Sequence, residues 1–193
     1  LAEPLQAALR EAGVLATPGP RLHVCLLDRQ RLVLGASDPD NSSPWPMGIP
    51  RLRFPAGAPS RSGIKLSEAL ALFIGEDDLP GRMRAGRVAI DLGASPGGWS
   101  HVLASRGLRV VAVDNGPIAP QVLQTQLVEH RREDAFRFRP DLPVDWMVCD
   151  VIAAPARIAA LVAQWIARGW CRETIFNLKL PHKDRWREVE RCH

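Results

Sequence analysis

Asp91-Leu92-Gly93-Ala94-Ser95-Pro96-Gly97-Gly98-Trp99-Ser100 is the stretch on which the reading of this chain turns. It follows the apolar run Val88-Ala89-Ile90 and leads into a helical pattern that lasts to Ser105. A short apolar run of this kind reads as a strand buried on both faces. Glycines after it let the backbone pass close to a ligand and leave the N–H groups of the next helix facing that ligand. The spacing is not G-x-G-x-x-G, because Ser95 and Pro96 occupy its middle. An acid at the strand end, before the first glycine, suits a cationic ligand better than a pyrophosphate. In an open parallel sheet the ligand sits beyond the carboxyl ends of the strands, where the strand order switches.

Outward from that loop the pattern alternates. Strands are predicted over 87–92, 108–113, 127–131, 145–149 and 173–178, and helices over 65–73, 97–105, 118–124, 156–168 and 182–191. Strand–helix alternation implies an α/β fold, a parallel sheet with helices on both faces. Ahead of it, residues 1–36 read as a helix over 4–12 stopped by Gly13, then a hairpin of strands 21–27 and 31–34 around a turn at 28–30. That is too little for a domain and looks like the end of one. Residues 37–63 form a linker in which Pro39, Pro44, Pro46, Pro50, Pro55 and Pro59 forbid a continuous helix or a central strand. No acidic residue falls between Asp40 and Glu68, whereas Arg51, Arg53, Arg61 and Lys65 do. The linker is therefore either a solvated spacer or a basic arm that lies along phosphates. The remainder, 64–193, is the main domain.

Composition narrows the class. With 193 residues, at roughly 150 per domain, the chain holds one domain and part of another. An apolar share of 46% against 24% charged is enough for a buried core and excludes wholesale disorder. Twenty-five basic against 21 acidic residues give a formal charge of +4, which leans toward an anionic partner. The longest near-apolar stretch, 158–167, is far short of the ~20 residues of a membrane span. No basic-then-apolar leader opens the chain, so a cytoplasmic location is expected. Cys25, Cys149, Cys171 and Cys192 are scattered without a C-x-x-C pair, and no His/Cys set has ligand spacing. Reduced thiols and no metal are the expectation. Trp146, Trp165 and Trp170 read as core, while Trp45 and Trp99 are divided between core and base-stacking roles.

The second strand ends in Asp114, placed like an acid that grips ribose hydroxyls. Asp91, the Ser95-Pro96-Gly97-Gly98-Trp99 turn and Asp114 together resemble motif I, and the acid after it, of S-adenosylmethionine-dependent RNA 2′-O-ribose methyltransferases. Asn41-Ser42-Ser43-Pro44-Trp45-Pro46, Ala58-Pro59-Ser60-Arg61-Ser62 and Phe176-Asn177-Leu178-Lys179-Leu180-Pro181 are similar to the bacterial 23S rRNA cytidine 2′-O-ribose methyltransferases that carry an N-terminal THUMP domain. The resemblance implies a Rossmann-like fold preceded by a remnant of an α+β THUMP domain. It further implies S-adenosylmethionine as cofactor, 23S rRNA as partner and a monomer. It places Ser95, Pro96, Gly97 and Gly98 around the amino-acid part of the cofactor, Asp114 on its ribose and Asp134 at its adenine, with Ser62 closing the site from the arm. Lys65, Asp150 and Lys179 match the first three members of a Lys-Asp-Lys-Glu set, Asp150 touching both cofactor and substrate. The fourth member and the last strands would lie past His193. Arg51, Arg53 and Arg61 would hold RNA phosphates, with Arg131, Arg132, Arg137, Arg139, Lys183, Arg185 and Arg187 extending the track.

The chemistry agrees with the residue types. A ribose hydroxyl is a very weak acid, so its attack on a methyl donor needs a base. A lysine serves only once burial and a neighbouring cation make it neutral. Lys179 ends an apolar run at the ligand-bearing edge, and Lys65 follows the basic arm. Cys149 beside Asp150 is not the nucleophile of a cytosine C5-methyltransferase, because it lies inside a predicted strand. The Asn/Asp-Pro-Pro-aromatic turn of base amino-methyltransferases is missing after Asp150. Two rivals stay open: a non-catalytic RNA- or nucleotide-binding module of the same fold, and an NAD-dependent oxidoreductase, which the Ser95-Pro96 turn disfavours.

Overall fold

A computed structural model describes residues 2–14, 19–54, 57–75 and 77–192; Pro55 of the linker lies outside them. The chain divides into two compact units, Leu1–Arg51 and Leu52–His193. In the first, α1 (Ala2–Glu11) precedes the antiparallel pair β1 (Arg21–Leu26) and β2 (Leu32–Ser37). Asp28 makes the hairpin turn: its Oδ1 accepts from the N–H groups of Gln30 and Arg31, both at 2.9 Å. β2 runs three residues further than the sequence suggests, because Ala36 and Ser37 pair with Leu22 and Arg21.

The second unit opens with α2 (Ser62–Phe73) and the single turn α3 (Leu79–Arg82). There follow β3 (Val88–Leu92), α4 (Gly98–Ala104), β4 (Arg109–Val113), α5 (Pro120–Leu123) and β5 (Val128–Arg131). Then come β6 (Val144–Cys149), α6 (Pro155–Ala167), β7 (Cys171–Phe176) and α7 (Arg185–Glu190). All five strands are parallel, in the order β5-β4-β3-β6-β7. The chain lays strands outward from β3 on one side, then returns to lay β6 and β7 on the other. The switch therefore falls between β3 and β6, where such sheets bind ligands.

The strands are apolar throughout because both faces are covered. Along β6, Trp146 and Val148 pack into one core with Leu66, Leu70, Leu103 and Val110, while Met147 and Cys149 pack into the other with Ile158, Val162 and Trp165. This alternation is the two-residue period of a strand, read here on two apolar faces. Trp165 is buried between the stacked ring of Phe138, 6.5 Å away, and the edge-on ring of Trp170 at 5.7 Å. α3 was not legible in the sequence, since a four-residue turn has no period to detect. α2 begins three residues before Lys65, and β7 begins and ends two residues before the expected 173–178. β7 is an edge strand with half-exposed residues, so burial marks its limits weakly. Lys179 thus lies beyond the strand rather than at its end.

Two of the buried residues are polar, Asp91 and Ser100. Asp91 shares the face of Ala89 and is 0% exposed. Ser100 Oγ of α4 donates to its Oδ2 at 2.7 Å, while Oδ1 is buried with no partner among the described residues. Burial pushes the carboxyl up from 3.8 to about 7; the Ser100 bonds oppose the rise, and repulsion from Asp150 and Asp114 adds to it. The unfolded chain therefore loses this proton at lower pH than the folded one, and folding loses stability as pH rises through the interval. Asp91→Asn keeps an acceptor for Ser100 and removes the titration. Relative to the unsubstituted chain, this variant should gain stability as pH rises from 3.8 to about 7 and hold the gain above it. Urea midpoints followed by tryptophan fluorescence across that window check this; a difference independent of pH would show that Asp91 ionises freely.

Candidate active site

The carboxyl edge of the sheet carries the reactive groups. Asp150 follows the last residue of β6, and its N–H donates to the Leu92 carbonyl of β3 at 3.1 Å. Asn177 follows β7, and its N–H donates to the Cys149 carbonyl at 2.9 Å. Two residues on, Lys179 Nζ bonds Asp150 Oδ1, and Lys65 Nζ in the first turn of α2 lies 3.6 Å from Asp150 Oδ2. Asn177 Nδ2 donates to the same Oδ1 at 2.9 Å. The side chains of Lys65, Lys179 and Asp150 are 53%, 29% and 12% exposed, so two partly wet cations meet one nearly buried carboxylate. Lys65, Asp150 and Lys179, far apart in sequence, come together as expected. Asn177 was not singled out by the sequence, since only the pairing of β6 with β7 brings it to Asp150.

α2 reaches this edge because it touches α4 backbone to backbone. A Cβ on Gly63 would lie 2.8 Å from the Gly98 carbonyl oxygen, and one on Gly98 would collide with the hydroxyls of Ser60 and Ser62. Those hydroxyls are 2.6 Å apart. Trp99 is buried and donates its indole N–H to the Ser62 carbonyl at 2.9 Å. It is a fastener between the loop and α2, not a platform for bases. Gly97 takes φ +109°, which favours glycine, but a Cβ there would face Ile118 and Val122 at 3.2 Å. Its missing side chain makes room for Ile118 and for Val122 of α5.

Beside the edge, a cleft of about 170 Å³ is lined by Gly93, Asp114, Asn115, Asp134, Phe136 and Val151. Asp114 knits the loop: Oδ1 accepts from Gly116 N–H at 2.7 Å and Oδ2 from Ser95 N–H at 3.0 Å. One lone pair on each oxygen remains for a ligand hydroxyl. Ser95 Oγ donates to the Pro117 carbonyl at 2.8 Å, and the Pro96 carbonyl accepts from Ala119 N–H at 2.9 Å. Asp134 Oδ1 caps the N–H of Phe136 at 2.8 Å. Phe136 was missed by the sequence; the Arg157 guanidinium stacks 3.7 Å above its ring. Ser62, Ser95 to Gly98, Asp114 and Asp134 all belong to the second unit.

The electrostatics favour a positively charged ligand with hydroxyls. Asp150 and Asp114 both raise the carboxyl of Asp91 by repulsion, so three acids crowd one edge. S-adenosylmethionine, with its sulfonium, ammonium and ribose, fits that set. Asp114 and Asp150 would meet its hydroxyls and charge, with Asp91 buried behind them, and Asp134 and Phe136 line the cleft that would take its base. Cys149 is buried, and burial pushes its thiol up to about 11, so it packs rather than reacts.

Arg53 and Arg61 are exposed in the second unit, Arg51 is the exposed last residue of the first, and none forms a salt bridge among the described residues. Arg139 stacks 5.1 Å over Trp170 and donates through one guanidinium nitrogen to the Phe136 and Phe138 carbonyls. Among the described residues no group of three His, Cys, Asp or Glu side chains gathers to hold a metal ion. No described helix is long and apolar enough to cross a membrane.

Residues 58–165 match the family model described as FtsJ-like methyltransferase, a span that includes Lys65, the glycine loop, Asp114, Asp134 and Asp150. Over 193 residues the chain is 52% identical to a "Ribosomal RNA large subunit methyltransferase M" of Azoarcus sp. (strain BH72), covering 98% of this chain and 53% of that protein. A relative of the same name from Citrobacter koseri is 53% identical over 191 residues, covering 96% and 52%. The chain spans about half the length of the curated relatives it matches. The five-stranded parallel sheet, the glycine loop at its switch point and a family match over more than half of the residues lead to one assignment: the chain belongs to the FtsJ-like methyltransferase family.

Proposed function

We propose that this chain transfers a methyl group from S-adenosylmethionine to the 2′-hydroxyl of a cytidine ribose in 23S rRNA, in the cytoplasm and as a monomer. One observation carries the proposal: Lys65 and Lys179 converge on Asp150 at the carboxyl edge, beside an acid-lined cleft. The name shared by the relatives supports an RNA substrate. Residues 1–36 are read as the end of a THUMP domain, and 37–63 as the basic arm that brings Arg51, Arg53 and Arg61 to RNA phosphates.

S-adenosylmethionine, when bound, supplies a methyl group activated by its sulfonium. The chain supplies the rest. Ser95 to Gly98 shape the loop around the amino-acid end, and Asp114 and Asp134 orient the nucleoside. Lys179, once its own ammonium proton has passed to solvent, would take the proton of the 2′-hydroxyl as that oxygen attacks the methyl donor. Asp150 holds Lys179 in place, and Lys65, on its other oxygen, adds positive charge beside the forming oxyanion.

Labelled methyl transfer to unmodified 23S rRNA, with mapping of the product nucleotide, tests the proposal. Binding of S-adenosylhomocysteine and RNA without transfer would favour the non-catalytic module. Lys179→Ala should lower turnover by on the order of 10²–10⁴. Lys179→Arg should fail equally, because a guanidinium keeps its proton. Affinity for S-adenosylhomocysteine should barely change in either. Near-normal turnover by Lys179→Arg would move the base elsewhere, with Asp150 the first candidate.

The arm yields a separate expectation. If arginines track phosphates, RNA affinity falls steeply with salt, with a slope set by the number of contacts. Replacing Arg51 and Arg53 together should flatten the log–log slope by roughly one to two units. An unchanged slope in filter binding over a salt series would leave the arm a solvated spacer.

A further inference from the structure

Asp150 has three neighbours that compete for two oxygens. Lys179 Nζ and Asn177 Nδ2 both donate to Oδ1, while Lys65 Nζ stands 3.6 Å from Oδ2. The lysines cannot fix the carboxylate by themselves. Each ends a four-carbon stem, Lys65 is more than half exposed, and Lys179 lies beyond the last ladder bond of β7. A carboxylate between two flexible cations turns about its terminal torsion, which is broad and roughly two-fold.

Asn177 differs in kind. Its own N–H is bonded to the Cys149 carbonyl at 2.9 Å, and the N–H of Asp150 is bonded to the Leu92 carbonyl at 3.1 Å. Both backbones that carry the side-chain bond are thus tied into one sheet, and the bond spans two short side chains at 2.9 Å. An ionised carboxylate only accepts, so the nitrogen of the amide, not its oxygen, must face Asp150. The donor is neutral, so it orients Asp150 without displacing either lysine by charge repulsion.

We propose that Asn177 is the positioning residue of this centre: its amide holds the Asp150 carboxylate with one oxygen toward Lys179 and the other toward Lys65. The proposal rests on the reading of this edge as the methyl-transfer centre. Asn177 acts through Asp150 and takes no proton. It sets where Lys179 stands when the ribose hydroxyl arrives, and an error of an ångström there is costly to an in-line transfer.

The test compares Asn177→Leu, Asn177→Ala and Lys179→Ala in the complete chain, using labelled methyl transfer to 23S rRNA, S-adenosylhomocysteine binding and thermal melting. Asn177→Leu keeps the approximate shape and removes the donor without adding charge beside Asp150. It should lower kcat by about tenfold to a hundredfold, with KM for RNA, S-adenosylhomocysteine affinity and melting temperature close to those of the unsubstituted chain. Asn177→Ala should match it. A merely packed asparagine would give the opposite pattern, with Asn177→Leu active and Asn177→Ala less stable. Normal kcat in Asn177→Leu while Lys179→Ala is inactive overturns the role of Asn177 and leaves the transfer centre standing. Full activity of Lys179→Ala, or no transfer by the unsubstituted chain, overturns the transfer centre instead. Crystal structures then decide the hydrogen bond separately: in Asn177→Ala the Asp150 carboxylate should rotate away from the Lys65-facing position, and an unmoved carboxylate refutes the positioning role.

Discussion

The bond from Asp150 N–H to the Leu92 carbonyl closes the pairing of β6 with β3, and the bond from Asn177 N–H to the Cys149 carbonyl closes that of β7 with β6. In a parallel sheet such closing bonds all lie on one edge, because every strand runs the same way. The side chains just past them are therefore delivered together, whatever their distance in sequence. Asp114 stands past β4, and its N–H bonds the Arg131 carbonyl at the end of β5. The site is the set of residues that follow the last ladder bond of their strands. Lys65 and Ser62 arrive by another route, on a helix held against α4 by Gly63, Gly98 and Trp99.

That edge collects negative charge. Asp91 is buried with one oxygen unpartnered, and Asp114 and Asp150 lie near enough to raise its carboxyl further. An apolar residue at position 91 would give a quieter core. A carboxyl there is explained if a positive ligand comes to the edge, since binding then relieves a repulsion the fold carries by itself. The lysines meet Asp150 at the same edge, 53% and 29% exposed, so cations stand beside the acids rather than among the buried ones.

Much of this was legible in the residues. The glycine loop after an apolar run, the acids at strand ends and the strand–helix alternation rest on local pattern, and local pattern survives folding. Trp99 was ambiguous because its place depends on where the Ser62 carbonyl lies, 37 positions away. The strand before Lys179 lies two residues earlier than its pattern suggests, since an edge strand offers little contrast between buried and exposed positions. Gly97 shows a subtler loss: glycine was correctly expected in the loop, but which neighbour its missing side chain admits is a property of α5 packing. Asn177 carried no signal, because asparagine is common in loops and its partner lies across a strand pair. Phe136 was hidden because the partner of its ring, Arg157, comes from α6, distant in sequence.

The approach of Gly63 to Gly98 has a consequence for how such a chain can drift over evolutionary time. When two side chains touch, a larger one can be matched by a smaller one opposite, and the pair wanders through sequence space together. Here the Cβ missing from Gly63 would strike the Gly98 carbonyl oxygen, which no substitution can shrink. Gly63 has no compensating change available across the contact. Gly98 differs, because the first atoms its Cβ would strike are the hydroxyls of Ser60 and Ser62. Substitution at Gly63 should therefore be blocked outright, with no covariation to betray that it meets Gly98. A contact central to the geometry would be invisible to any method that infers proximity from correlated change.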